Sequence, residues 1–584
     1  APEILGGHGA VVLIVVGDVV VERALLSIRY VGGRTGRYPR AHRGPVGSAL
    51  LGPVSQLDRG TSYLLLHELL DSVDVLELRG DPRTEIASVT SDSRAVAAGA
   101  LFCCVPGSTA DGHDHAPAAV AAGAAALLVE RSLALPVAQV EVASVRAAMG
   151  PVAAAAAGHP STRLAVLGIT GTNGKTTTTY LLEGIARTAG IQPGVIGTIG
   201  ARIAGEPIPG ERTTPEATDL QPLLARMVDA GVGLVAMEVS SHALVMHRVD
   251  GTRFAAACFT NLSHDHLDFH ASLEDYFEAK ALLFDPARTD AAAANLDDPH
   301  GAEIARRAEV AGLPVLGFGL ESPAAVVRAE ALDAGPAGNR FRLVTPYGSG
   351  DVHSPLVGRF NASNALAAAA TALAAGLDVD TVVNGLSVPV VVPGRMERVD
   401  AGQPFAVVVD YAHTPDGLEQ VLRAARPLVG RGAGGALPTG APGAVKESGA
   451  TTGGRLVVVF GCGGDRDRAK RPAMGKAAAT LADMVVVTSD NPRSEEPRAI
   501  IEEVLAGIPS GVQPTVEPDR RTAIALALAG RTAGDVVVIA GKGHESGQTA
   551  GGVTVPFDDR IVAAEELARL GWAAPDGPGG RTAA

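Results

Sequence analysis

The sequence is poor in cysteine and in aromatic residues, carries no excess of positive charge and has no long unbroken apolar run. Its four cysteines, Cys103, Cys104, Cys258 and Cys462, form no Cys-x-x-Cys pair and no zinc-ligand spacing. That argues against a disulfide scaffold or a zinc ribbon and implies free thiols. A net charge of -14 argues against a general nucleic-acid binder, because phosphate contact needs clustered Lys and Arg. The most apolar early stretch, Val11 to Val21, is interrupted by Gly17 and Asp18. It is too short for a membrane span and lacks the basic start and cleavage pattern of an export signal, so a cytoplasmic protein is expected. Only 3% of residues are aromatic while Ala and Gly abound, which reads as coding bias, so alanine alone is weak support for a helix.

At 584 residues and 46% hydrophobic composition, the length prior gives three or four globular domains. Residues 1–62 are aperiodic and are expected to be an unassigned, disordered N-terminal extension. From Tyr63 the pattern is regular. A short helical run leads to strands at Ile86–Thr90, Leu101–Val105 and Ala125–Val129, with a helix at Ala116–Ala122, a small α/β domain over 63–160. The turn His159-Pro160 marks its end. Strands at Gly233–Val239 and Ala255–Thr260 then alternate with helices in a central domain over 161–393, and this order implies a mainly parallel sheet. Strands at Ala406–Asp410, Leu456–Gly461, Met484–Thr488 and Val536–Gly541 imply a second doubly wound sheet over 394–584. The Gly-, Ala- and Pro-rich stretch 430–454 reads as a flexible surface insertion.

The most informative stretch is Val166-Leu-Gly-Ile-Thr-Gly-Thr-Asn-Gly-Lys-Thr-Thr177, where an apolar strand ends in glycines, a lysine and hydroxyls. Backbone N–H groups around Gly171, Thr172, Asn173 and Gly174 suit phosphate oxygens. Lys175 reaches the outer phosphates, and Thr176 and Thr177 begin a helix where a hydroxyl can bind Mg²⁺. The ordinary P-loop places a glycine five residues before Gly174, where this sequence has Ile169. Further along, Glu238 ends an apolar strand and Asn261-Leu-Ser-His-Asp-His266 follows the next, both at the carboxyl ends where ligands collect in open sheets. Glu238 and a histidine can complete a Mg²⁺ shell begun by Thr176. Two other readings of the neighbourhood are a zinc site from His264, His266 and His270, and plain surface histidines.

Six motifs in order, Thr170–Thr176, Glu238–His242, Asn261–His266, Phe360-Asn-Ala-Ser-Asn364, Gly394-Arg-Met-Glu397 and Asp410-Tyr-Ala-His-Thr-Pro415, resemble the Mur ligase family. These are ATP-dependent enzymes that lengthen the peptide of the bacterial cell-wall precursor. The resemblance covers about residues 63 to 570, and the departure from the ordinary P-loop is typical of the family. It implies an α/β fold of three domains: a small UDP-sugar-binding unit, a central ATP-binding sheet and a Rossmann-like C-terminal domain that takes the amino acid. It also implies amide formation through an acyl phosphate, with ATP and Mg²⁺, by an enzyme of peptidoglycan synthesis. By resemblance, Lys175, Glu238, His266 and Lys280 are catalytic. Thr176, Glu238, His266 and a carbamate on Lys280 are the metal ligands. Asn364, Arg395 and Asp410 reach the nucleotide, the last two on domain closure.

Gly461-Cys-Gly-Gly-Asp-Arg-Asp467, Asp490-Asn-Pro-Arg493 and Gly541-Lys-Gly-His-Glu545 resemble the family member that adds the third peptide residue. Its substrates are UDP-N-acetylmuramoyl-L-alanyl-D-glutamate and meso-2,6-diaminopimelate. The arginine of the Asp-Asn-Pro-Arg version suits the extra carboxylate that diaminopimelate has and lysine lacks. Arg466 and Arg493 are expected to hold carboxylates, and Asp490, Asn491, Pro492, Gly541 and Glu545 the ammonium and polar edges. For the UDP-sugar dipeptide, the matching positions are Ser91, Ser93, Ser108, Thr109, Ala110, Thr213, Thr214, Ser240 and Arg248. Met246 and Arg212 depart from the family pattern, where glutamine and asparagine are usual. The rival readings are a lysine-adding ligase, a folylpolyglutamate-synthetase-like ligase and an inactive scaffold. A monomer without nucleic-acid partners is expected.

Overall fold

The computed structural model describes residues 64–107, 110–210, 212–430 and 453–572. The expected extension over 1–62 and nearly all of the insertion at 430–454 lie outside the described residues. The chain folds into three α/β units of one architecture, each a sheet with helices against it.

The first sheet has five strands in the order Val75–Arg79, Ala138–Val142, Ala126–Val129, Ala100–Cys103, Ser88–Thr90, parallel except for the first pair. The short helical run expected from Tyr63 is the single turn Leu66–Leu69, and the sequence pattern does not predict the edge strand Val75–Arg79 that follows it. Its side chains are mostly exposed, so it carries no apolar alternation to betray it. The expected strand Ile86–Thr90 is two short strands, Glu85–Ile86 and Ser88–Thr90, which pair with different neighbours.

The central sheet has eleven strands. Its middle is parallel and runs Pro193–Gly197, Leu234–Glu238, Ala165–Thr170, Ala256–Phe259, Ala292–Asn295, Val315–Gly319, Val327–Gly335. Near-continuous apolar runs such as Leu234-Val-Ala-Met237 fit strands covered on both faces. An antiparallel extension flanks each side: Gly200–Ile203 with Glu206–Ile208, and Gly338–Thr345 with Gly348–Ser354. In Gly338–Thr345 the pleat alternates buried Phe341 and Leu343 with exposed Arg340 and Arg342, the pattern of a half-covered strand. The alanine-rich helix Arg359–Ala374 is buried almost throughout and packs beneath the parallel strands with the helix Lys175–Thr188. Small side chains there allow close approach of helix and sheet.

The third sheet runs Glu397–Arg398, Ala406–Asp410, Val536–Ala540, Leu456–Phe460, Met484–Val487, Thr515–Val516, all parallel but for the first edge pair. Each strand end of consequence points the same way. Asp410, Gly461, Asp490 and Gly541 all follow the carboxyl ends of parallel strands, where the chain turns away from the sheet and frees its polar groups. No described helix is long and apolar enough to cross a membrane.

Candidate functional site

The phosphate loop follows the strand Ala165–Thr170 and opens the helix Lys175–Thr188. Gly171 (φ 140°) and Gly174 (φ 88°) hold conformations that favour glycine. A side chain at 174 would also collide with the Asn364 amide, and one at 171 with the Thr260 hydroxyl. The loop is braced from the next strand end: Thr172 N–H donates to the Asn261 carbonyl (2.9 Å) and Asn173 N–H to Asn261 Oδ1 (2.9 Å). Lys175 Nζ donates to the carbonyls of Gly171 and Thr172, both at 2.8 Å, and burial lowers its pKa from the ordinary value.

Two connected cavities meet at this loop. One, of about 440 Å³, is lined by Asn173, Gly174, Thr176, Thr177, Asn364, Arg395 and Asp410, which are expected nucleotide contacts. Asp410 is 4% exposed, and its carboxylate accepts from the Met396 N–H (2.7 Å) and the Ala412 N–H (2.8 Å). It ties the segment before the strand Glu397–Arg398 to the end of Ala406–Asp410, next to Arg395, whose Nη2 lies 3.4 Å from Thr176 Oγ1 and whose guanidinium covers the Tyr411 ring at 4.6 Å.

The other cavity, of about 620 Å³, gathers motifs from across the chain. Thr172, Lys175, Thr176, Glu238 and His266 form one part of its wall. Thr213, Thr214, Ser240 and Arg248 form a second, and Arg466, Asp490, Asn491, Arg493, Gly541 and Glu545 a third. Glu238 is 1% exposed, and its carboxylate accepts both the N–H (3.0 Å) and the hydroxyl (2.9 Å) of Thr198. His266 stands in the left-handed region (φ 57°), and burial pushes its imidazole down to about 3, so it is neutral. A carboxylate, a hydroxyl and a neutral imidazole on one cavity wall fit a Mg²⁺ that keeps phosphate and water as further ligands. The zinc reading fails on geometry. His264 pairs with Asp467 (2.6 Å) and His270 with the Ser241 hydroxyl (2.9 Å), and among the described residues no three His, Cys, Asp or Glu converge.

Lys280 lies outside both cavity walls. It is 1% exposed, its Nζ donates to the Gly171 carbonyl (2.9 Å) over the Tyr276 ring, and burial with the nearby Lys175 holds it well below the ordinary lysine range. Burial under the phosphate loop favours the uncharged amine, the form that takes up CO₂.

On the sugar-peptide side, Thr214 Oγ1 donates to the Glu238 carbonyl (2.9 Å), Ser240 caps the short helix Ser241–Val245, and Arg248 pairs with Glu216 at 2.9 Å. Met246 sulfur meets Arg248 Nη2 at 3.2 Å, and Arg212 is exposed at the cavity rim. Ser91, Ser93 and Ala110 lie in loops and a turn of the first unit and line neither cavity. Ser91 is joined to the central unit by its contact with Thr218 Oγ1 (3.2 Å). Ser108 and Thr109 lie outside the described residues.

Where the amino acid is expected, Arg493 (φ 53°) turns its Nη1 to the Gly464 carbonyl (2.7 Å), while Arg466 is exposed and 3.7 Å from Asp268. Gly541 (φ 117°) backs onto Asp490, and Pro492 is buried behind Arg493. Several residues of this cavity escaped the sequence reading: Thr198, Asp265, Tyr411, His413, Lys470 and His544 line it, and Lys542 stands buried behind it. Two were inside the recognised Gly541–Glu545 motif. Thr198 follows a strand without any motif, and only its bond to Glu238 discloses it. Burial alone would raise the Asp265 carboxyl, yet His413, His266 and Lys470 hold it well below the carboxylate range.

Family models match the chain in order. The Mur ligase family catalytic domain spans residues 85–167, the Mur ligase middle domain 169–372, and the Mur ligase glutamate ligase domain 394–434 and 433–543. A UDP-N-acetylmuramoyl-L-alanyl-D-glutamate--2,6-diaminopimelate ligase of Gloeobacter violaceus is 47% identical over 509 residues, 86% of this chain and 98% of that protein. A solved structure under the same enzyme name is 33% identical, with TM-score 0.60, over 87% of this chain and 100% of the other. A folylpolyglutamate synthase of Mycobacterium tuberculosis, complexed with ADP, aligns at TM-score 0.53 with 20% identity over 73% of this chain and 94% of that one, a likeness of fold alone.

Proposed function

The chain belongs to the Mur ligase family, and from that premise we propose that it joins meso-2,6-diaminopimelate to UDP-N-acetylmuramoyl-L-alanyl-D-glutamate at the expense of ATP. The observation that carries this reading is the larger cavity. Lys175, Glu238 and Arg493, from three separate motifs and two sheets, line one space of a size that suits several small substrates together.

The substrate carboxylate attacks the γ-phosphorus of ATP, ADP leaves, and the amine of diaminopimelate then attacks the acyl phosphate, expelling inorganic phosphate. Lys175 is suited to bear on the phosphoryl charge, because its ammonium lies at the end of the loop whose N–H groups cradle phosphates. Thr176, Glu238 and His266 would hold Mg²⁺, which neutralises phosphate charge when bound. Thr198 steadies Glu238 through both of its donors. We assign the carbamate role to Lys280 because its amine is buried and desolvation favours its uncharged form; to serve that role it would swing away from Gly171. Arg493 and Arg466 would pair with the distal carboxylate, and Asp490 and Glu545 would receive the distal ammonium; that all four line the larger cavity supports this reading. Contacts between the two larger sheets close water away from the acyl phosphate. They include Asn173 with Asp416 (3.0 Å) and His264 with Asp467 (2.6 Å).

The test is ATP-dependent phosphate release by the full chain with Mg²⁺ and the UDP-sugar dipeptide, comparing meso-diaminopimelate, L-lysine and no amino acid. Release only with diaminopimelate, with the matching gain in product mass, is expected. Release with lysine instead would preserve the chemistry and overturn the specificity.

A further inference from the structure

A fully buried lysine stands directly behind the amino-acid pocket. Lys542 is 0% exposed, and its Nζ lies 3.0 Å from Glu545 Oε2, 3.1 Å from Asn491 Oδ1 and 3.8 Å from Asp490 Oδ1. It is turned inward between Gly541 (φ 117°) and Gly543 (φ 53°), two left-handed positions at the end of the strand Val536–Ala540. Every group that touches its ammonium is one to which the proposed function gives contact with the amino acid.

We propose that Lys542 is a positioning and specificity-determining residue: a built-in counter-ion that orients Asn491 and Glu545 and limits this pocket to one further cation. The inference rests on the reading of the cavity given above. The first part of the argument is orientation. Asn491 Oδ1 accepts from Lys542 and from the Thr549 N–H (3.0 Å), which fixes the amide so that Nδ2 donates to Glu545 Oε2 at 2.8 Å. Glu545 Oε2 is thereby used twice by the protein. Its Oε1 and the carboxylate of Asp490 accept no hydrogen bond from the described residues, and both residues line the cavity.

The second part is charge. Arg520 lies nearby but is neutralised by Asp559 at 2.7 Å, so two carboxylates and one ammonium leave a net single negative charge, which one substrate ammonium neutralises. Arg493 stands ready on the adjoining wall for a carboxylate. A terminus that carries both an ammonium and a carboxylate, as an α-amino acid does, meets both demands at once. Without Lys542, Asp490 and Glu545 would face each other with no cation but Arg520 nearby, and Arg520 is already paired with Asp559. One would take a proton or swing away, and the Asn491 amide would be free to flip.

The experiment is steady-state phosphate release by full-length wild type and Lys542→Met, varying diaminopimelate, ATP and the UDP-sugar dipeptide in turn. Loss of the buried counter-ion is expected to raise KM for diaminopimelate about tenfold or more, as for other buried charged hydrogen bonds. KM for ATP and for the dipeptide should stay near wild type, and Lys542→Arg should recover part of the loss. An unchanged KM for diaminopimelate, or an equal rise for all three substrates, overturns the inference. A Lys542→Met chain without a cooperative melt is replaced by Lys542→Gln, which keeps a donor but no charge and carries the same expectations. If wild type itself releases no phosphate with diaminopimelate, the functional reading fails. Wild-type turnover with an unaltered Lys542 variant sinks the role of Lys542 alone.

Discussion

At the scale of single residues, the site is governed by how burial treats charge. Lys175 and Lys280 are both pushed towards neutrality by desolvation, and each lies close to the Gly171 carbonyl. Lys280→Ala is expected to abolish most phosphate release while ATP-analogue binding persists, measured by steady-state turnover and by calorimetry. Full activity in that variant would end the carbamate assignment. Arg493 acts elsewhere. Among the described residues its guanidinium is hydrogen-bonded to the Gly464 carbonyl alone, leaving donors towards the cavity. Arg493→Ala should raise KM for diaminopimelate by roughly ten- to a hundredfold, the worth of a charge-assisted bidentate pair, with KM for ATP unchanged.

The elements show why such residues converge. Parallel strands send their carboxyl ends to one edge, so Thr170, Glu238 and Phe259 end beside each other in the central sheet. The loops that follow are then stabilised by caps. Thr414 is 1% exposed and its hydroxyl accepts from the Gly417 N–H (3.1 Å), starting the helix Pro415–Ala425 whose Asp416 receives Asn173. Thr414→Ala is expected to lower stability by about 1 kcal/mol in chemical denaturation, with Thr414→Ser close to wild type. If the cap also sets Asp416 against the phosphate loop, KM for ATP rises in the alanine variant and not in the serine one.

For the whole molecule, buried neutral histidines tie stability to pH. Desolvation pushes His242 down to about 4 and His266 and His544 to about 3, from an ordinary 6.5. The unfolded chain binds these protons near pH 6.5, and the folded chain does not until pH 3 to 4. Their contribution is therefore full above 6.5 and is lost as pH falls through that window. A further loss is expected below pH 4.5, where Glu495 of the unfolded chain takes up a proton that the folded carboxylate, held down to about 2 mainly by its hydrogen bond with Arg471, does not. Thermal melting without nucleotide or metal should show Tm falling between pH 6.5 and 5, before carboxylates titrate. His544→Gln should flatten that slope, and a Tm constant over this range would refute the account.

Much was legible in the sequence because the signals are local. Apolar runs marked the strands Ala165–Thr170, Leu234–Glu238, Ala406–Asp410 and Val536–Ala540 to within a residue or two, since strands buried on both faces need nothing else. The family and its reaction were carried by the order of short motifs, whose residue types follow from phosphate and carboxylate chemistry. The exposed edge strand Val75–Arg79 and the antiparallel flanks of the central sheet were not legible, because pairing partners and not local pattern define them. The same division runs through the site. Sequence alone named Lys175, Glu238, His266, Asp490 and Arg493, each inside a motif. Only the tertiary structure decided that Thr198 would grip Glu238, that Lys280 would be buried beneath Gly171 and that Lys542 would stand between Asn491 and Glu545. Those are matters of desolvation and of contacts between distant segments, and neither has a value until the chain has closed around them.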